Sequence, residues 1–295
     1  DSWQSVMQTT RSRWKRRRAG TERQQKEREM KHRLKGFLKW RPQPMCYLVM
    51  MAAGLILLLL PLLRLTIYSV PWYDDYNYGG FARRLMEWNG ETLGNALKGA
   101  WESSRISWYA WQGTYSSIWF MTLMPAIWGE EYYYLGPAFL ILLMTAGVCT
   151  LLYTLCRTVI RAERGQAFAV SIGGTILALE MIHTAKEGIY WYNGGVHYVG
   201  MHSFLFLLIA LVVKMIYRER TKGYRMAQSL SLVAAILLAV LAAGANFVTA
   251  LQGLLIVLSV AGLGWILHRR TTLWVLPVLA VYGAGFCINV GAPGN

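Results

Sequence analysis

Long runs of apolar residues, separated by short polar or basic stretches, dominate the chain after residue 44. Seven of these runs are close to the roughly 20 residues that an α-helix needs to cross the hydrocarbon layer of a bilayer. They cover residues 45–68, 134–157, 167–185, 197–217, 226–246, 249–267 and 273–290. The pattern predicts an all-α, polytopic integral membrane protein with about seven transmembrane helices.

Charge placement predicts the orientation of these helices. Residues 1–44 hold fourteen of the thirty Lys and Arg residues, and we interpret them as a basic cytoplasmic tail ahead of a transmembrane domain of residues 45–295. The basic loop that follows residue 156 should also be cytoplasmic. Residue 69 is then external and residue 157 cytoplasmic, so an odd number of crossings separates them. The run 134–157 supplies one crossing, and the short apolar run 114–128 should therefore not cross. Residues 69–133 are predicted to form one long external loop that carries interfacial helices.

Composition narrows the function classes. The chain is 55% hydrophobic and only 15% charged, and its net charge of +15 lies in the tail and in short loops. No aromatic and basic nucleic-acid-binding module accompanies that charge, so nucleic-acid binding is not expected. The four cysteines lie in or beside apolar runs without a nearby histidine cluster, which argues against a dedicated metal site.

Two adjacent carboxylates, Asp74 and Asp75, follow the first apolar run in the string WYDDYNYGG. Charged groups close to lipid require solvation or a partner. One explanation is catalysis, in which a carboxylate takes a proton from an acceptor hydroxyl while that oxygen attacks a sugar carbon. The alternative is capping of a helix over residues 78–88, where an Asp accepts backbone N–H bonds. Capping needs one Asp, and two are present.

Arg83 and Arg84 follow on the same predicted helix. The planar guanidinium matches a pair of phosphate or diphosphate oxygens. The alternatives are contact with lipid headgroups and pairing with Glu87, which lies at i+4 from Arg83 and i+3 from Arg84.

The second predicted external segment, KEGIYWYNGGVHYVG, is dense in aromatic and small residues. Tyr190 and Trp191 suit stacking on a sugar ring, and Asn193 suits hydrogen bonds to its hydroxyls. His197 is a further candidate contact, with metal binding or helix packing as alternatives. An interfacial aromatic belt would explain the rings equally well, but it does not explain Asn-Gly-Gly.

Five short strings resemble a bacterial family of polytopic membrane proteins with the architecture of GT-C type glycosyltransferases. They are WYDDYNYGG, WQGTYSS, YWYNGGVHY, GANFVTAL and the terminal APGN. The resemblance covers residues 71–295 and leaves the basic tail uncovered. Members of the family continue past the last string into further membrane helices, so we expect the chain to be a piece of a longer protein.

The resemblance implies a sugar donor carried on a polyprenyl phosphate and transfer to an acceptor on the outer face of the bacterial plasma membrane. The residues implied are Asp74 or Asp75 as the catalytic base, Arg83 or Arg84 as donor-phosphate contacts, and Trp111, Gln112, Trp191 and Asn193 as the lining of the sugar cavity. Trp111 and Gln112 belong to that lining only if residues 114–128 fold back over it. It is also open whether a divalent cation bridges the donor phosphate and Asp74.

Two other function classes stay open, because resemblance in fold does not fix function. In a transporter or flippase, Glu180, His183 and Glu187 would share one helix face and line a path for substrate or protons. In a non-catalytic membrane subunit, the basic tail would dock a cytoplasmic partner. The lipid bilayer is a partner in each case.

Overall fold

The computed structural model describes residues 44–219 and 223–295. Predictions that concern residues 1–43 of the basic tail, and residues 220–222 in the loop after residue 217, lie outside the described part of the chain. Residues Leu48–Asn295 form one compact unit.

All regular structure in the described residues is helical. The α-helices are α1 (Pro44–Thr66), α2 (Asp74–Asn89), α3 (Leu93–Ala110), α4 (Tyr115–Thr122), α5 (Leu135–Thr154), α6 (Arg164–Glu180), α7 (Tyr192–Gly195), α8 (Met201–Tyr217), α9 (Tyr224–Ala243), α10 (Phe247–Thr272) and α11 (Leu276–Val290). Short 3₁₀ helices cover Pro125–Trp128, Glu130–Tyr132 and Leu273–Val275, and π-helical turns cover Leu155–Val159, Lys186–Tyr190 and Val196–Gly200. Each predicted apolar run overlaps one of the α-helices.

Five helical segments of the described chain are long and apolar enough to cross a membrane. They are Met45–Thr66, Glu130–Val159, Tyr192–Tyr217, Tyr224–Ala243 and Phe247–Val290. The last contains α10 and α11, with a break at His268, whose φ of −140° and ψ of 48° are not helical. Many large apolar side chains on these helices are exposed, as expected where the surrounding solvent is lipid.

The larger hydrophobic core is centred on α8, which packs against α5, α9 and α10. Its buried side chains include Leu208, Val212 and Met215. The facing helix α9 contributes buried alanines at positions 235, 239, 242 and 243, which lie on one helix face. Small residues allow two helix backbones to approach closely, and dispersion contacts then stabilise a helix pair that gains little from the hydrophobic effect in lipid.

A second core joins α2, α3 and α4 to the segment that leads into α8. α2 and α3 form a hairpin in which Gly90, at a φ of 102°, ends α2, because a glycine adopts this left-handed conformation without a Cβ clash. Thr92 then caps α3 by accepting a hydrogen bond from the Asn95 N–H. Residues 69–133 are therefore a packed helical region.

The ambiguous run 114–128 contains only α4 and one 3₁₀ helix. α4 has eight residues, a length of about 12 Å at 1.5 Å per residue. The hydrocarbon layer is about 30 Å thick, so this helix is too short to cross it.

One predicted helix face is absent. α6 ends at Glu180, and turns occupy the following residues before the π-helical segment that begins at Lys186. Glu180, His183 and Glu187 therefore do not share a helix, and all three are exposed. The prediction of a polar path along one helix face is wrong, because the chain changes direction between these residues.

The α2–α3 contact gives a testable prediction. A Cβ added at Gly99 would lie 2.6 Å from the Ala82 Cα, a backbone atom that cannot move without separating the two helices. We expect Gly99→Ala to lower the free energy of unfolding by about 1–3 kcal/mol, measured by thermal unfolding of the purified protein in detergent. The control is Gly80→Ala on α2, where a Cβ would meet nothing within 4 Å. It should be neutral or stabilising by about 0.5–1 kcal/mol. Equal unfolding midpoints for the two variants would contradict this packing.

Candidate functional site

The side chain of Asp75 lies in the first turn of α2 and is fully buried. Its carboxylate accepts three hydrogen bonds from three different parts of the chain. The donors are the Tyr133 hydroxyl at 2.6 Å, the Trp72 backbone N–H at 3.0 Å and the Asn193 backbone N–H at 3.1 Å. Asp75 therefore ties the start of α2 both to the segment before α5 and to the segment before α8.

The Tyr133 hydroxyl extends this connection. It is fully buried and accepts a hydrogen bond from the Tyr192 backbone N–H at 2.9 Å. The Tyr190 carbonyl lies 3.3 Å away, but a phenol has one hydrogen to donate, and the shorter contact is to Asp75. One buried hydroxyl thus satisfies polar groups of both the acidic segment and the YWYN segment.

Burial dominates the electrostatics of Asp75. Desolvation raises the pKa of this carboxyl above its ordinary value, the three hydrogen bonds oppose that shift, and the negative charge of Asp74 adds to it. No cation forms an ion pair with Asp75 in residues 44–219 and 223–295. With its oxygens occupied and no exposed surface, Asp75 positions the backbone and is not open to a substrate.

Asp74 differs from its neighbour in each of these respects. It is the first residue of α2, is half-buried, and accepts no hydrogen bond within the described part of the chain. The preceding Tyr73 has a φ of 49°, an uncommon conformation for a residue with a Cβ, and the chain turns sharply there. The positive end of the helix dipole stabilises a negative charge at this position. Asp74 is therefore the carboxylate of the pair that is available for chemistry.

An aromatic pair lies one helical turn beyond Asp74. Burial, with a further contribution from the charge of Asp74, raises the pKa of the Tyr78 hydroxyl above its ordinary value. The Tyr78 ring lies 6.1 Å from that of Trp111, measured between centroids. The structure thus places Trp111 beside α2, and the half-buried Gln112 follows it.

The second predicted segment reaches Asp75 through the Asn193 N–H. The Trp191 ring meets the ring of Trp72 edge to face at 6.0 Å, and the Tyr190 hydroxyl donates a hydrogen bond to the Leu62 carbonyl of α1 at 3.1 Å. The Asn193 side chain is 2% exposed, and neither of its amide atoms has a partner among the described residues. His197 is half-buried, and its Nδ1 also lacks a partner there. Asn193 and Trp191 are therefore brought to the acidic pair, whereas within the described residues no hydrogen bond or ring contact joins His197 to it.

The predicted phosphate contacts lie further away. Arg83 and Arg84 follow the acidic pair by eight to ten residues, which is about 12–15 Å along a helix axis. The Arg83 guanidinium pairs with Glu87 at 2.8 Å and Glu91 at 3.0 Å. Arg84 lies over the Phe81 ring, 5.2 Å from its centroid. Their role in phosphate binding stays a prediction that these contacts do not favour.

A groove of about 410 Å³ lies beside the Trp72–Trp191 pair. It is lined by Leu65, Tyr68, Ser69, Val70, Trp72, Lys186, Tyr190 and Trp191. The Lys186 ammonium lies over the Trp72 ring, 4.7 Å from its centroid. Lys186 and Tyr133 were not predicted as site residues, because nothing in the local sequence shows which distant segments they meet.

Three of the five family-like strings meet at a separate junction. The Asn289 side chain donates hydrogen bonds to the carbonyls of Ala243 and Ala245, both at 2.8 Å. The Asn295 carboxamide accepts one from the Gly113 N–H at 2.9 Å, and a Cβ on Gly113 would overlap the Asn289 carbonyl. Gly113, Ala245 and Asn295 of these strings are therefore accounted for by packing and hydrogen bonding.

No protein-family model, curated protein or solved structure matches this chain. The resemblance to GT-C type proteins therefore rests on the short strings alone. Among the described residues, no group of three or more His, Cys, Asp or Glu side chains is placed to hold a metal ion. The geometry around the acidic pair is the feature that bears on function.

The different surroundings of the two carboxylates predict different effects on stability. In Asp75→Asn, one carboxylate oxygen becomes an NH₂ group that faces a hydrogen-bond donor. We expect the free energy of unfolding to fall by about 1–3 kcal/mol, since a buried donor loses its acceptor. Asp74→Asn removes no hydrogen bond and should stay within about 0.5 kcal/mol of the wild type.

Thermal unfolding of both variants in the same detergent measures this difference. Tyr133→Phe provides a second variant, because it removes the donor to Asp75 and leaves the Tyr192 N–H without its acceptor. If Asp75→Asn and Asp74→Asn unfolded at the same temperature, the assignment of Asp75 as a positioning residue would be wrong.

Proposed function

We propose that this chain belongs to a multi-pass membrane glycosyltransferase of GT-C-like architecture, which moves a sugar from a polyprenyl-phosphate donor to an acceptor on the outer face of the bacterial plasma membrane. The observation that carries the proposal is the unpartnered, half-buried carboxylate of Asp74 at the start of α2. Two aromatic pairs support the proposal: Tyr78, one helical turn after Asp74, lies beside Trp111, and Trp72, whose backbone N–H donates to Asp75, lies beside Trp191.

Seven crossings, with the N-terminus in the cytoplasm, are part of the proposal. The segment Phe247–Val290 has 44 residues, about 66 Å of helix at 1.5 Å per residue, or twice the hydrocarbon thickness. Its break at His268 precedes Arg269 and Arg270, as expected for a cytoplasmic turn between two crossings. α6, with 17 residues, is at the short end of the roughly 17–25 residues that span a bilayer.

In the proposed reaction, Asp74 acts as the general base. Its carboxylate takes the proton of an acceptor hydroxyl while that oxygen forms a bond to the anomeric carbon of the donor sugar. The bond from that carbon to the phosphate oxygen breaks, and the carrier phosphate leaves with the electron pair. Asp75 holds the backbone of α2 so that Asp74 keeps its position. Trp191, Trp111 and Asn193 are the proposed contacts to the sugar.

Substitution of Asp74 tests the proposal. General base catalysis contributes about 10²–10⁴ to a rate, so we expect Asp74→Asn to lower sugar transfer by at least about 100-fold. The measurement is transfer of radiolabelled hexose from polyprenyl-phosphate-linked glucose, mannose or galactose to acceptors in membrane vesicles that contain the full chain.

The stability of the variant provides the control. Asp74→Asn should retain the unfolding midpoint of the wild type, so that lost transfer reports chemistry. Glu102→Gln changes a half-buried carboxylate on α3 whose ion pair in the described part of the chain is with Arg105 at 2.8 Å, and it should transfer at the wild-type rate. Full transfer by Asp74→Asn, or no transfer by the wild type with any of the three donors, would contradict the proposal.

A further inference from the structure

The groove beside the Trp72–Trp191 pair has eight lining residues, and the only charged one among them is Lys186. Two other hollows on the described part of the molecule contain carboxylates beside their cations. One is lined by Arg83 with Glu91 and Glu130, and the other by Lys98 with Glu102. Of these three hollows in the described part of the chain, the groove at Lys186 presents a positive charge without an opposing one.

The Lys186 ammonium is held in place without losing its hydrogen-bonding capacity. It lies 4.7 Å from the centroid of the Trp72 ring, which attracts the cation. Unlike a carboxylate, the ring does not take up the N–H donors of the ammonium in conventional hydrogen bonds. Within residues 44–219 and 223–295 it forms no hydrogen bond or ion pair through its side chain. Three N–H donors thus remain for an anion.

The length of α1 indicates that the groove lies near the level of the phospholipid headgroups. α1 has 23 residues, about 34 Å of helix against a hydrocarbon layer of about 30 Å. Leu65 belongs to its last turn, so the groove begins where α1 would leave the hydrocarbon. The aromatic side chains around it, Tyr68, Trp72 and Trp191, are of the type that concentrates at this level of a bilayer.

The groove has both apolar and polar lining residues, as contact with the acyl chains and with the headgroup of a lipid requires. Tyr190 closes one side by donating its hydroxyl hydrogen to the Leu62 carbonyl at 3.1 Å, which ties α1 to the Lys186 segment. Leu65 and the indole rings provide apolar surface, while Tyr68 and Ser69, whose hydroxyls can donate hydrogen bonds, line the same groove. Its volume of about 410 Å³ is within the range of small-ligand sites.

We propose that this groove binds the phosphate headgroup of an anionic glycerophospholipid of the surrounding bilayer, with Lys186 as the phosphate contact and the acyl chains lying along α1. The site goes beyond the proposed glycosyltransferase function and does not depend on it. Bilayer phospholipid is the chosen occupant because the groove opens beside a candidate membrane span, where such lipids are always present.

Lipid binding to the purified full chain tests the site. After delipidation, the protein is mixed with phosphatidylglycerol or phosphatidylcholine, and bound lipid is counted by native mass spectrometry. We expect the wild type to bind phosphatidylglycerol in preference. One basic residue near an anionic headgroup contributes about 1 kcal/mol, so Lys186→Gln should weaken that binding about fivefold.

Three further variants separate charge from fold. Lys186→Arg keeps the cation and should retain binding. Lys98→Gln removes an exposed lysine from α3 and should bind as the wild type does. Trp72→Leu keeps an apolar wall and the backbone N–H that reaches Asp75, but it removes the ring below the ammonium. It should therefore weaken binding as well.

Several outcomes would overturn the site. One is equal phosphatidylglycerol binding by Lys186→Gln and the wild type, and another is equal binding of phosphatidylcholine and phosphatidylglycerol. Displacement of the lipid by inorganic phosphate alone would show that the groove selects a free anion. Displacement by an equimolar single-chain polyprenyl phosphate would show that it selects the carrier lipid. None of these measurements uses sugar transfer. The lipid site can therefore be wrong while the proposed glycosyltransferase function is right, and the function can be wrong while the lipid site is right.

Discussion

The buried carboxylate of Asp75 is the interaction on which the candidate site depends. A charge without a cation is costly inside a protein, and here three hydrogen-bond donors from separate segments offset that cost. Because the donors come from Trp72, Tyr133 and Asn193, the carboxylate can be satisfied only when three segments distant in sequence have come together. The position of Asp74, the orientation of α2 and the placement of the YWYN segment all follow from this arrangement.

A helical protein with lipid as its solvent must obtain its specificity from close packing and from polar groups, because apolar surface alone does not favour one helix pair over another. Both devices are present in this fold. Alanines of α9 lie in the larger core, and Gly99 lies against the backbone at Ala82. The Asn289 amide donates hydrogen bonds to the carbonyl of Ala243, the last residue of α9, and to that of Ala245, two residues further on. Strings that resemble a family can therefore reflect such junctions as readily as an active site.

Much of the architecture could be predicted from the sequence. The apolar runs overlap helices, and the run 114–128 contains a helix too short to cross a bilayer. Capping of the helix is wrong for both aspartates, because α2 begins at Asp74 and its N-cap, Tyr73, makes no side-chain capping bond. The backbone N–H groups that Asp75 accepts belong to Trp72 and Asn193, outside α2, whereas the Asp74 carboxylate has no partner in the described part of the chain, and its role in chemistry stays a prediction. Local sequence does not separate two neighbouring aspartates, since both have the same composition around them, and only the donors that arrive from elsewhere distinguish their roles.

The sequence by itself determined the helical class, the apolar segments and the acidic pair, because periodicity and hydrophobicity act over distances of one or two helical turns. Tertiary structure alone decided which aspartate is buried, and that Tyr133 joins two segments 58 and 59 residues away. It also decided that Lys186 lies over Trp72, and that Glu180 and Glu187 are not on one helix. These features depend on contacts between distant parts of the chain and on the point where a helix ends. Neither the distant contacts nor the exact end of a helix can be recognised from the local pattern of apolar and polar residues.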